Sequence, residues 1–213
     1  MAADGFGSWV FYLSTLPIIL TGPLTAGFTL VLRNFAREKP TFLWGDFKDA
    51  VRNNWKQAFP AAAITVCGSC VLLFLFYFYS ATLQTHPLFF IPLVIVSICC
   101  LLFIFMHYYV FVIMTTFNMP LKNIYRNAMM FAFLGVGQNF LITIFSAVIL
   151  FVTCVWIPIL MVLLPFITIG TIGFLVNFAV WPVIQKYMID THPEILPKEE
   201  IVRPIFSDNV KKK

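Results

Sequence analysis

Three long stretches of the chain, residues 5–32, 57–121 and 127–185, contain no Asp, Glu, Lys or Arg. They run for 28, 65 and 59 residues. A helix needs about 20 apolar residues to cross roughly 30 Å of hydrocarbon. The first stretch therefore holds one span, and each of the others holds two joined by a hairpin. The pattern predicts five spans, near 8–32, 58–80, 88–116, 128–153 and 158–185. Residues 80–87 (SATLQTHP) are small, polar and proline-closed, as a hairpin requires. Residues 153–158 end in an interfacial Trp156 and a helix-starting Pro158. The runs are continuously apolar and do not alternate with period two, which argues against strands.

The polar intervals have their own pattern. Between 41 and 59, Trp44, Phe47, Val51, Trp55 and Ala58 recur at steps of three and four. Asp46, Lys48, Asp49, Arg52, Asn53 and Lys56 take the other positions. This spacing predicts an amphipathic helix with its two tryptophans at headgroup level. A shorter copy follows Pro120. Phe47-Lys-Asp-Ala-Val-Arg-Asn-Asn54 and Leu121-Lys-Asn-Ile-Tyr-Arg-Asn-Ala128 match at Lys48/Lys122, Arg52/Arg126 and Asn53/Asn127, at a constant offset. Two units of span, amphipathic turn and span, followed by a fifth helix, would make a parallel repeat. Trp44, Phe47, Lys48, Arg52, Trp55, Lys122 and Arg126 are the candidate interfacial or partner-contacting residues.

Composition agrees with the pattern. Of 213 residues, 61% are hydrophobic and 11% charged, and mean hydropathy is +0.91. A soluble domain carries about 25% charged residues. The expected fold class is an all-α polytopic membrane helix bundle of about five transmembrane helices, with cytoplasmic interfacial amphipathic helices. Residues 1–190 form a single integral membrane domain, and 191–213 a cytoplasmic tail. The net charge of +5 comes from cations in three segments: 33–56, 122–126 and 186–213. Alternating spans place all three on one face, and the positive-inside rule makes that face cytoplasmic. The N-terminus is then outside and the C-terminus inside. The first apolar run has no basic segment before it and is too long for a cleavable signal. No nucleic-acid motif appears, so the bilayer is the expected partner of this basic chain.

Candidate chemistry is sparse. No span as bounded above contains a charge, which argues against proton coupling. Thr21, Pro23 and Thr25 mark an interrupted first span, where Pro23 removes a donor and the threonines can satisfy freed carbonyls. Gly22 and Ala26 form a small-xxx-small pair for close helix approach. Gln138 and Asn139 in the fourth span and Asn177 in the fifth are either interhelical glue or the lining of a polar cavity. These six polar or proline positions, Thr21, Pro23, Thr25, Gln138, Asn139 and Asn177, are the candidate ligand-binding residues. His107 stands without metal-ligand neighbours and reads as a packed histidine. Cys67, Cys70, Cys99, Cys100 and Cys154 lie inside apolar runs and read as small, buried, inert thiols. There is no HExxH, GxSxG or phosphate loop, so neither an enzyme, a metal nor a cofactor is expected.

Several segments resemble a known family. They are 17–27 (PIILTGPLTAG), 42–59 with its Asp46-Phe-Lys and Asn53-Asn-Trp-Lys-Gln57, the turn at 119–128, and the ending 181–190 (WPVIQKYMID). Together they resemble the YesL-like family of small bacterial membrane proteins, catalogued as domain of unknown function 624, over roughly residues 8–190. The resemblance implies the bacterial cytoplasmic membrane and a role in carbohydrate import or its regulation, and supplies no catalytic residues. The leading expectation is an accessory or interaction subunit beside a carbohydrate transporter or sensor kinase. The alternative is a small permease binding a neutral solute in the bundle interior.

Overall fold

The computed structural model describes residues 21–83, 86–156 and 164–191, with side chains throughout except at 154–156 and 164–167. Among the described residues the chain is all-α, with six helices. They are α1 (residues 21–36), α2 (Leu43–Thr82), α3 (Phe90–Thr116), α4 (Leu121–Leu134), α5 (Val136–Trp156) and α6 (Leu164–Ile184). A 3₁₀ turn, Pro87–Phe89, leads into α3, and a π turn, Gln185–Ile189, ends α6. Four segments are long and apolar enough to cross a membrane: Leu43–Thr82, Pro87–Thr116, Val136–Thr153 and Thr168–Ile189. The predicted first span, 8–32, lies within the described residues only from Thr21 onward. Most of the 153–158 hairpin and the tail beyond Thr191 lie outside them.

The predicted amphipathic helix and second span prove to be one rod. Helix α2 has 40 residues, about 60 Å of helix, and continues through Pro60. Its buried stripe is Ala50, Asn54, Ala58, Ala61 and Ala62. These are small side chains at helical spacing, and α1 lies close against them. A Cβ at Gly22 would come within 2.5 Å of the Ala58 carbonyl oxygen and 2.8 Å of Ala62 Cβ. Gly27 approaches Phe47 and Val51 as closely. The small-residue pair read in the first span thus marks the α1–α2 seam, with Ala26 fully buried.

Helix α3 is the centre of the bundle and touches α2, α4, α5 and α6. Its second half is buried almost without interruption, from Phe105 and Met106 through Tyr109 to Thr116. Ile124, Ala128, Phe131 and Ala132 of α4 complete this core with Val180 and Ile184 of α6.

The predicted fourth span, 128–153, runs over two helices. One helix ends at Leu134 and another starts at Val136, so the spanning segment begins at the break. Gly135 at the break leaves no room for a side chain. A Cβ there would sit 2.6 Å from the Tyr109 hydroxyl oxygen and 3.2 Å from the Phe131 carbonyl oxygen.

Outside the core, the surface is inverted relative to a soluble protein. Leu73, Phe74, Tyr77, Ile91, Phe151 and Phe178 face outward. Only 11% of the most apolar window of α2 is buried within the protein. Lipid is the solvent that makes such a surface stable. Cys67 and Cys99 are exposed on this surface, and Cys70 and Cys100 are half-buried. The expectation of buried thiols is therefore wrong for the first two, because the bundle core is built further along α3 and α4.

Candidate functional site

One end of the bundle gathers the polar chemistry. Arg37 at the end of α1 stacks over the Trp181 ring of α6 at 3.8 Å. The Gln57 amide of α2 donates to the Met119 carbonyl in the α3–α4 turn at 2.9 Å. Arg33 of α1 reaches the end of α3, where its Nη1 donates to Thr116 Oγ1 at 2.6 Å. The end of α1, the start of α2, the α3–α4 turn and the end of α6 therefore share one end of the molecule.

Arg33 changes the reading of the first span. Helix α1 runs to residue 36, so the arginine lies inside it and is fully buried. A second Arg33 nitrogen, Nη2, donates to Asn34 Oδ1 at 3.2 Å. The charge-gap argument counted Arg33 as a loop cation because it follows the last uncharged residue. The preference of a planar guanidinium for several directed acceptors keeps it inside instead.

The partner-facing candidates divide by exposure. Lys48, Arg52, Lys122 and Arg126 are all exposed, two on the first turns of α2 and two on α4. Trp44 and Trp55 are 65% and 48% exposed, at the edge of the buried stripe. Phe47 is half-buried and stacks on Trp44 with ring centroids 5.9 Å apart. Lys48 sits over the Trp44 ring at 4.9 Å.

Beside them lies a hollow of about 530 Å³ that the spacing of residues alone did not reveal. The end of α1 contributes Asn34, the loop Lys39 and Pro40, α2 Asp46, Asp49, Asn53 and Asn54, and α3 Thr115. Asn54 is 3% exposed and its amide donates to the Ala50 carbonyl at 2.8 Å. Asp46 Oδ2 accepts from the Phe42 backbone N–H at 3.0 Å, which secures the first turn of α2. The signal available in the sequence was Asn54, a polar residue on the small-residue stripe four positions from Ala50 and from Ala58.

The ligand candidates within the membrane do not converge. Asn139 is fully buried, accepts from the Tyr109 hydroxyl at 2.8 Å and donates to the Ala132 carbonyl at 3.3 Å. Gln138 donates to the Ala179 carbonyl of α6 at 2.5 Å. Both are joints between helices. Pro23 is buried, and the carbonyl it would free belongs to residue 19, outside the described residues. The Thr25 hydroxyl donates to the Thr21 carbonyl at 3.0 Å. Thr25 and Asn177 do meet, in a largely apolar groove of about 300 Å³ between α1, α3 and α6. Asn177 donates to the Gly173 carbonyl at 2.8 Å, while its buried Oδ1 has no hydrogen-bond donor among the described residues.

His107 lies on the groove wall and is a packed residue. Its Nδ1 is 2.7 Å from the Phe103 carbonyl and its Nε2 2.8 Å from Thr65 Oγ1. Among the described residues no three His, Cys, Asp or Glu side chains converge as metal ligands.

By the length and apolar character of its helices, this is a multi-pass membrane protein. Residues 7–76 match the model of a family described as a protein of unknown function, DUF624, and over those residues the chain carries a domain of that family. The matched segment includes the α1–α2 seam and every residue lining the polar hollow except Thr115. No curated protein and no solved structure matches the chain.

Proposed function

We propose that the protein is a non-catalytic accessory subunit of the membrane, working beside a carbohydrate transporter or its sensor kinase. The observation that carries this reading is the division of its polar groups. Half-buried Gln138 and fully buried Asn139 each hydrogen-bond across to a neighbouring helix. The exposed cations Lys48, Arg52, Lys122 and Arg126 stand at the bundle end, where a second protein can reach them. In this reading the basic end faces the cytoplasm. The carbohydrate link is supported by the family resemblance. The test is affinity purification from membranes in mild detergent. A transporter or kinase subunit should co-elute, and a chain with Lys48, Arg52 and Lys122 changed to Glu should release it. Recovery of neither subunit above an untagged background would end this reading.

A second reading, a small permease, is favoured by Asn177 Oδ1, a buried acceptor without a donor beside the α1–α3–α6 groove. A solute hydroxyl would supply the donor. Uptake of a labelled sugar into liposomes holding only this protein, lost in Asn177→Leu, would establish it in place of the first.

A further inference from the structure

We infer that the polar hollow at the start of α2 binds a small neutral polyol of about monosaccharide size. Its volume, about 530 Å³, falls within the roughly 300–1,000 Å³ of small-molecule sites. Three of its polar side chains, Asn34, Asn54 and Thr115, are buried, with 7%, 3% and 2% of their surfaces exposed. They give the hollow a fixed polar floor. Its rim, Asp49 and Asn53, is exposed, and neither side chain makes a hydrogen bond among the described residues.

The mixture of groups selects the ligand class. Asp46 and Asp49 only accept hydrogen bonds, Lys39 only donates, the three asparagines do both, and Thr115, whose hydroxyl donates to the Phe111 carbonyl at 2.9 Å, is left to accept. Two carboxylates are balanced by Lys39 and by the Arg33 guanidinium, which donates to Asn34 Oδ1 at 3.2 Å, so the site favours neither an anion nor a cation. A simple cation would also engage only the oxygen acceptors of the lining. A hydroxyl donates to a carboxylate while accepting from an amide or ammonium. Adjacent hydroxyls on one carbon chain therefore engage all three kinds of group at once. The hollow is open at its exposed rim of Asp49 and Asn53, as entry of a ligand from water requires.

The inference goes beyond the accessory role, and the two fail separately. A partner can co-elute from a chain that binds no sugar, and the purified chain can bind sugar with no partner present. The experiment is equilibrium binding of labelled D-glucose, D-xylose and glycerol to the purified full chain in detergent, with putrescine and inorganic phosphate as charged probes. At least one polyol should bind saturably. Asp49→Leu and Asn53→Leu, both at exposed positions, should each weaken it by about tenfold while the chain elutes as a folded species. Asn177→Leu, in the separate groove, should leave that affinity unchanged. Absence of saturable binding for all three polyols would overturn the inference. So would equal affinity in the rim variants, or binding of putrescine or phosphate alone.

Discussion

The Tyr109 hydroxyl donates to Asn139 Oδ1 at 2.8 Å across the break between α4 and α5, through a gap that the missing side chain of Gly135 leaves open. The same Asn139 amide donates to the Ala132 carbonyl near the end of α4. One asparagine thus joins the central helix to both sides of the break. Gly135→Ala pushes a methyl group to 2.6 Å from the tyrosine oxygen and should cost about 1–3 kcal/mol. Tyr109→Phe, which removes one hydrogen bond, should cost about 1 kcal/mol. The two substitutions share one space, so their costs should not add. Thermal unfolding of the four chains of this cycle in detergent checks it. Strict additivity would mean that the glycine serves the backbone alone.

A similar argument separates the glycines. Gly22 faces the Ala58 carbonyl, backbone that cannot move aside, whereas no atom of the described residues lies within 4 Å of a Cβ at Gly137. Gly22→Ala should therefore destabilise the α1–α2 seam by about 1–3 kcal/mol. Gly137→Ala should be neutral or stabilise by up to about 1 kcal/mol. The order of the two melting temperatures is the measurement.

Glu38 is the one non-glycine residue with positive φ among those described, at 53°. It closes α1, where the Lys39 backbone N–H donates to the Asn34 carbonyl at 3.0 Å across the turn. This left-handed position favours glycine. Glu38→Gly should raise stability by up to about 1 kcal/mol, with Glu38→Val lowering it. Because Asn34 and Lys39 line the hollow, the glycine variant also reports whether a stiff turn is needed to hold them apart.

Arg33 supplies a sharper test of burial. Thr116→Val removes an acceptor from a buried guanidinium, and should cost about 1–3 kcal/mol. Arg33→Lys should not restore the wild-type stability, because one ammonium cannot reproduce the fork that meets Thr116 and Asn34. Equal melting temperatures for Arg33→Lys and the parent would show that charge alone matters here.

What was legible in the sequence follows from how lipid selects residues. Long uncharged runs are obligatory for spanning helices, so an all-α chain with several long apolar helices was readable from charge gaps. The helical spacing that sets Trp44, Lys48, Arg52 and Trp55 on exposed faces of α2 was readable as well. Three features were not. Continuity of α2 through Pro60 depends on packing along the whole rod, which local propensity does not report. The crowding of Gly135 by Tyr109 joins positions 26 residues apart in sequence. The hollow needs α1, α2 and α3 to meet, and its residues are scattered from Leu30 to Thr115. Asn139 and Gln138 stand out in the sequence as polar groups in an apolar run, and their hydrogen-bond partners across helices are visible only in the fold.

The placement of the cations makes a final prediction about topology. Arg37 on Trp181, Arg33 on Thr116 and Gln57 on Met119 bring the basic segments to one end of the bundle. Exposed His86, in the hairpin between α2 and α3, lies at the far end of those rods. If the basic end is cytoplasmic, a membrane-impermeant maleimide added to intact cells should label His86→Cys and leave Lys48→Cys and Lys186→Cys untouched. Opening the membrane should then expose the latter two. Cys67 and Cys99 lie on the apolar outer surface of the spanning helices, away from a water-borne reagent, so the unsubstituted chain should give a low background. Labelling of Lys48→Cys from outside, with His86→Cys protected, would invert the topology and place the polar hollow on the external face. A subunit acting on cytoplasmic partners could not then use it, whereas a polyol site exposed to the medium still could.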